Sequence, residues 1–292
     1  MTGVLQHGSV RPARYLAVGH VTVDVLETGE RRPGGTVLYS ALQAARLGLA
    51  ATVLTRGRPD ELAELLGSLA GEVELVVQPA PETTTLATTG AGAQRRQRLL
   101  AWAGPIELDA LPQAELLHLA PVAAELAGEI TGEWGFVGLT PQGLARRWMG
   151  PGEPIEAGIA DPAAVASAGR CDAVVLSEQE QVGCEALIAQ ALAGGATVAV
   201  TAGPGATTLL LAGGERREMA VEPVEAPVDD LGAGDVYAAA FFVSLAEGEQ
   251  APAAARLASI AAALRMHGVG PQAIAHRTAI QERASALSPP GR

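Results

Sequence analysis

Short apolar runs of strand length recur along this chain, and stretches patterned for helices lie between them. Residues 15–23, 51–54, 73–77, 116–119, 136–139, 173–176 and 197–201 read as buried strands. Residues 37–47, 60–69, 122–130, 143–148, 161–168 and 184–193 read as helices. Such alternation requires a crossover between successive strands, which predicts a mostly parallel sheet with helices on both faces. The texture changes twice. Residues 83–89 and 95–102, joined by Gly90-Ala91-Gly92, predict a hairpin with one wet face. Residues 207–221 predict antiparallel strands turning at Gly213-Gly214, and the tail predicts helices over 253–267 and 274–287. A length of 292 residues suits one large α/β domain over 1–292 with an embellishment.

Composition narrows the chemistry. The chain has no lysine and no asparagine, so all 20 of its basic side chains are arginine. Without lysine there is no P-loop of the Walker type, no protein-kinase ATP site of the usual kind and no Schiff base. If phosphate is transferred, backbone N–H groups, a metal and arginine must manage it. The formal net charge of −12 argues against a nucleic-acid partner, whose polyanion needs a basic face. No apolar stretch reaches the roughly 18 residues that span a bilayer, so no membrane partner is expected. The first 14 residues lack the apolar core of a signal peptide, which points to the cytoplasm. Cys171 and Cys184 fit no common zinc spacing and read as reduced core residues. His20, His118, His267 and His276 show no metal-ligand spacing and read as structural or surface residues.

The strongest chemical signal is Asp229-Asp230-Leu231-Gly232-Ala233-Gly234-Asp235, followed at once by an apolar helical run from Val236. Small residues at 232–234 let backbone approach a ligand, and a helix start offers unpaired N–H groups to an anion. Asp235 would stand in the first turn beside that anion, as a general base for phosphoryl transfer. An Asp-capped glycine loop at an ordinary helix start reads the same way in isolation. The second signature decides between them. Gly34-Gly35 opens another helix some 200 residues upstream, and Asp24 lies ten residues before it.

These two stretches resemble a known family. Residues 229–235 look like the D-T-x-G-A-G-D signature of the ribokinase-like (PfkB) carbohydrate kinases, a family that includes an inositol kinase-like subgroup which this chain resembles. Pro33-Gly34-Gly35-Thr36-Val37-Leu38-Tyr39-Ser40-Ala41, running on to Arg46-Leu47-Gly48, is similar to its first signature. The resemblance spans roughly residues 14–275. It implies a ribokinase-like α/β fold with a small β-sheet lid built from about 25–33 and 83–102. It implies ATP-dependent phosphorylation of a hydroxyl on a small sugar, cyclic polyol or nucleoside. Asp235 would be the base, and the amides of Gly232, Ala233, Gly234 and Asp235 the anion hole.

The resemblance also distributes the remaining roles. Asp24, Gly34, Gly35, Tyr39 and Gln142 would contact the acceptor, with Tyr39 standing where the family usually has Asn. Asp24 otherwise reads as a solvated loop acid, and Gln142, with Arg146 nearby, as an ordinary helix start. Ser177 and Glu180 are similar to the family's N-x-x-E, whose Glu organises the water shell of Mg2+. Thr201, Gly203 and Gly205 are similar to its nucleotide loop, or form a plain tight turn. Asp229 would bind a monovalent cation such as K+, although Asp230 replaces the usual Thr and adds negative charge. Lid edges would let two copies pair as a homodimer. The substitutions at 39, 177 and 230 also allow a catalytically degenerate member that binds sugar or nucleotide as a regulator.

Overall fold

A computed structural model describes residues 14–126, 130 and 132–287. The chain enters through β1 (Arg14–Val18) and crosses into a hairpin of β2 (Thr22–Leu26) and β3 (Arg31–Gly34). Then come α1 (Thr36–Arg46), β4 (Ala50–Gly57), α2 (Pro59–Leu66) and β5 (Glu74–Pro79). A second hairpin, β6 (Thr85–Thr89) and β7 (Arg96–Ala101), precedes β8 (Leu116–Leu119) and β9 (Phe136–Leu139). The two-residue strands β10 (Arg146–Arg147) and β11 (Glu156–Ala157) lead to α3 (Pro162–Ala168). Next are β12 (Ala173–Ser177), the single turn α4 (Glu178–Gln181), α5 (Glu185–Ala193) and β13 (Thr197–Thr201). Finally β14 (Thr207–Leu210) and β15 (Arg216–Met219) lead to α6 (Ala233–Ala246), α7 (Ala251–Arg265) and α8 (Arg277–Ala286).

Nine strands form the main sheet in the order β15-β14-β13-β12-β9-β8-β1-β4-β5. The seven from β13 to β5 run parallel, and β14 and β15 are antiparallel at one edge. Alternation along β1 shows why helices cover both faces. Tyr15 and Ala17 pack into the apolar cluster under α1, α6 and α7, while Leu16 and Val18 pack into the cluster under α3 and α5. Helix α6 is buried from Val236 to Ser244, because it is wedged between the sheet and its neighbouring helices. The strand order reverses at β1, and in open α/β sheets ligands bind beyond the carboxyl ends of strands at such a point. Among the described residues no helix is long and apolar enough to cross a membrane.

The second sheet has the order β3-β2-β6-β7 and stands apart from the first. The run 15–23, read as one strand, is therefore two. A Cβ on Gly19 would stand 2.2 Å from the Ala120 carbonyl oxygen, so the chain passes tightly here and leaves the main sheet. Asp24 consequently lies inside β2, not at the end of the first strand. Two predicted helices also differ. Residues 122–126 form an irregular loop, because the Glu125 carboxylate gathers the amides of His20, Val122 and Ala123. The rest of that expected helix lies largely outside the described residues. Over 143–148 the chain makes a 3-10 turn (Pro141–Ala145) and then β10, with Gly143 pinned by hydrogen bonds to Pro121 and Ala124.

One edge of the small sheet is not free. The Leu99 amide of β7 donates to the Glu153 carbonyl, Gly152 donates to Leu99, and Ile155 donates to Gln97. The edge expected to meet a second copy is therefore covered by this chain's own residues 152–155. Among the described residues no strand pairs with the outer side of β3, which carries Pro33.

Candidate active site

The start of α6 is fixed by glycine. Gly232 takes a left-handed conformation with φ 81°, and a Cβ there would stand 2.3 Å from the Tyr39 ring. No side chain caps this helix. The Ala233 amide donates to the Asp230 carbonyl at 3.2 Å, and that of Val236 to the Gly232 carbonyl at 3.0 Å. The amides of Gly232, Gly234 and Asp235 have no acceptor among the described residues. Three free donors and the positive end of the helix dipole are the groups that an anion would need. Ala233 is not among them, since its amide is already engaged.

Asp235 sits in the first turn, half-buried. Its backbone carbonyl accepts from Ser40 Oγ at 3.2 Å, and the Thr36 hydroxyl nearby favours the ionised form of its carboxyl. Burial pushes this carboxyl up to about 6, and the charge of Glu180 adds to the rise. Thr36, Arg146 and Arg95 pull the other way. Asp24 reaches the same region from β2, 3 % exposed, and accepts from Thr22 Oγ1 at 2.9 Å. Burial lifts it to about 6 as well, with Asp235 adding and Thr22, Arg146 and Arg95 opposing. Gly34 makes room for this acid, because a Cβ on it would stand 2.1 Å from Asp24 Oδ2. Gly35, at φ 92°, passes so close to the His20 carbonyl that a Cβ would stand 2.2 Å from its oxygen.

Loops after the parallel strands bring further expected residues to the same region. Gln142, after β9, accepts from Thr36 Oγ1 at 3.4 Å through its Oε1. Arg146 is half-buried and held by the Val122 carbonyl and Gln97 Oε1, both at 2.9 Å. Its charge acts on Asp24, Glu180 and Asp235 together. Ser177 and Glu180 form a reciprocal cap at the end of β12. Glu180 Oε2 accepts from the Ser177 amide at 2.8 Å, and its other oxygen makes no hydrogen bond among the described residues. Thr201 ends β13 level with Ser177 and donates to the Leu176 carbonyl at 3.4 Å. Gly203 and Gly205 lie in the exposed turn beyond it.

Two expected site residues turn elsewhere. Tyr39 is 1 % exposed, with its ring against Gly232 and under the guanidinium of Arg265, 5.3 Å from centroid to Cζ. Its ring is therefore packed behind the turn at Gly232, where the resemblance implied a contact with the acceptor. Asp229 also lies behind the loop. Its carboxylate accepts from the amides of Leu231 and Gly270, both at 2.9 Å, and from Arg265 at 3.1 Å. Burial opposes ionisation here, but those amides and the Arg265 charge outweigh it and hold the carboxyl below its usual range.

Sequence reasoning missed Thr36, Arg95 and Arg265. Thr36 carried a signal, as a hydroxyl directly after Gly34-Gly35. Arg265 carried a weaker one, as a charge at the end of an apolar helix. Arg95 gave none, because its partner Asp230 is set by folding alone. Among the described residues no three His, Cys, Asp or Glu side chains gather as a metal site. A divalent ion here would therefore take most of its ligands from phosphate and water, with Glu180 reaching it through water.

This geometry has counterparts. Residues 149–277 match the model of the pfkB family carbohydrate kinase. A pyrophosphate-dependent kinase of the ribokinase family, solved with a pyrophosphate analog and myo-inositol, is 19% identical with TM-score 0.72. The match covers 92% of this chain and 99% of that one. The fold is that of the ribokinase family. Ribokinase from Thermotoga maritima is 18% identical with TM-score 0.70, over 94% of this chain and 99% of that one. The nucleoside kinase of Methanocaldococcus jannaschii is 16% identical with TM-score 0.72, over the same shares. No curated protein matches the chain in sequence.

Proposed function

We propose that this protein transfers the terminal phosphoryl group of ATP to a hydroxyl of a small sugar, cyclic polyol or nucleoside. The observation that carries the reading is the free amides of Gly232, Gly234 and Asp235, with the Asp235 carboxylate raised to about 6 beside them. Above that pH Asp235 is ionised and accepts the hydroxyl proton as the oxygen attacks the terminal phosphorus. The bond from that phosphorus to the leaving diphosphate breaks, and the free amides receive the developing negative charge. Arg146 and Arg95 supply the positive charge that lysine supplies elsewhere. Asp24 and Gln142 orient the acceptor hydroxyls, and the backbone at Gly34-Gly35 lets it approach. A magnesium ion, held through water by Glu180, would neutralise phosphate oxygens.

The small sheet acts as the lid in this reading, excluding water from the reacting phosphate. The exposed 201–205 turn beside β12 suits a nucleoside, which favours ATP as donor. Any dimer through the lid is confined to the β3 edge. The regulator reading is less favoured, because Tyr39, Ser177 and Asp230 have structural partners in Arg265, Glu180 and Arg95.

The test is phosphoryl transfer from ATP, and separately from pyrophosphate, to pentoses, hexoses, inositols and nucleosides with magnesium. One acceptor should turn over, and Asp235→Asn should lose several orders of magnitude while remaining folded. Turnover retained in that variant overturns the base assignment, and use of pyrophosphate alone overturns the donor.

A further inference from the structure

Behind the anion loop lies a cage of oxygens, and a side chain of this chain fills it. Arg265 is fully buried. Its Nη1 donates to the carbonyls of Asp229 at 3.2 Å and Gly268 at 2.9 Å. Its Nη2 donates to the Leu231 carbonyl at 2.6 Å and to Asp229 Oδ2 at 3.1 Å. Tyr39 closes the remaining side with the face of its ring. Three backbone carbonyls and a carboxylate, gathered from two loops, are the donor set of a desolvated monovalent cation. The sequence predicts that such an ion binds at Asp229. The residues do not fit that expectation, because the position is occupied by a guanidinium that cannot lose its charge.

Leaving this arginine buried is costly unless its N–H groups are matched, and only Nε lacks an acceptor. The matching groups are chosen from one place. Asp229 and Leu231 flank the turn that ends at Gly232, and Gly268 belongs to the turn after α7. The Val228 amide to the Met266 carbonyl and the Gly270 amide to Asp229 complete the joint. Arg265 therefore ties the anion loop to the body of the protein at the point where the loop turns its amides toward the cleft.

We propose that Arg265 is a built-in cation: a positioning residue that does permanently what a bound monovalent ion would do, so that the enzyme works without K+. Tyr39 belongs to the same device, since its ring both covers the guanidinium and demands glycine at 232. This inference rests on the kinase reading for its activity readout, and on thermal stability for a readout that does not.

The test has two arms. Wild-type turnover is measured in potassium, sodium and tetramethylammonium chloride at equal ionic strength. Rates should agree within about twofold, and stimulation of tenfold or more by potassium overturns the proposal. In the second arm Arg265→Ala should lose about a hundredfold in kcat/KM, as a small misplacement of the loop would cause. Arg265→Lys should retain more activity, and millimolar guanidinium or potassium should restore part of it to the alanine variant. A folded Arg265→Ala protein that keeps wild-type kcat/KM, or that neither cation improves, overturns the proposal. If the alanine variant does not fold, the wild-type salt series decides. If no acceptor turns over, the kinase reading fails separately, and the melting midpoint then decides. An unchanged midpoint in the three salts upholds the built-in cation, and a rise specific to potassium refutes it.

Discussion

Replacing Asp235 with asparagine separates two quantities that usually fall together. Its carboxyl is raised from 3.8 to about 6 by burial, so the folded state resists ionising it. Between those pH values the folded protein holds a proton that the unfolded chain has released, and stability falls as pH rises. Asp235→Asn should therefore be more stable than wild type by about 2 kcal/mol at pH 8, allowing for partial exposure. The advantage should vanish below about pH 4. Melting midpoints at the two pH values check this, and a destabilised variant at pH 8 would contradict it. Asp24 titrates in the same window. Below pH 6 kcat/KM should fall more steeply than one proton allows, toward a hundredfold per pH unit. Asp24→Asn should reduce that limb to a single proton. Gly232→Ala must push against the Tyr39 ring at 2.3 Å and take a strained φ, so it should lose activity through a displaced loop. Asp24, Asp235 and the glycines at 34, 35 and 232 could be singled out because their signals are local, whereas Asp229 was assigned to an ion and is held by Arg265 instead. The roles of Tyr39 and Arg265 were not legible, because each gets its meaning from the other, across most of the chain.

Among the elements, the parallel strands were readable from their apolar runs, and the errors fall where a few contacts redirect the backbone. One strand was expected over 15–23, but crowding at Gly19 breaks it in two. Helix was expected over 122–130, but the Val122 and Ala123 amides go to the Glu125 carboxylate and that of Ala124 to the Gly143 carbonyl. The tip of the β6–β7 hairpin shows the same logic in the other direction. Asp230 accepts from the Gly92 amide at 2.7 Å and pairs with Arg95, so the departure at 230 joins the small sheet to the anion loop. Asp230→Ala should speed hydrogen exchange of amides 90–95 at least tenfold while core strands stay protected. Equal exchange in both proteins would show that the tip is held by something else.

At the scale of the whole molecule, 32 acids face 20 arginines, and the excess negative charge repels itself. Raising salt from a low level to about 0.15 M should screen this and lift the melting midpoint by a few degrees. A fall would mean that the exposed arginine–acid pairs outweigh the repulsion. The sheet order places the site at the strand reversal beside β1, which the strand–helix alternation foretold only as a class of fold. Residues 152–155, strapped along the outer strand of the small sheet, are a separate matter. They grip β7 by three backbone bonds, and their stem closes where the Gly158 amide meets the Ala145 carbonyl at 2.6 Å. Neither segment can be shortened alone without leaving the other's hydrogen-bonding edge bare. In descendants of this chain the two should therefore lengthen or shrink as a pair, so that one loop's length records the history of the other.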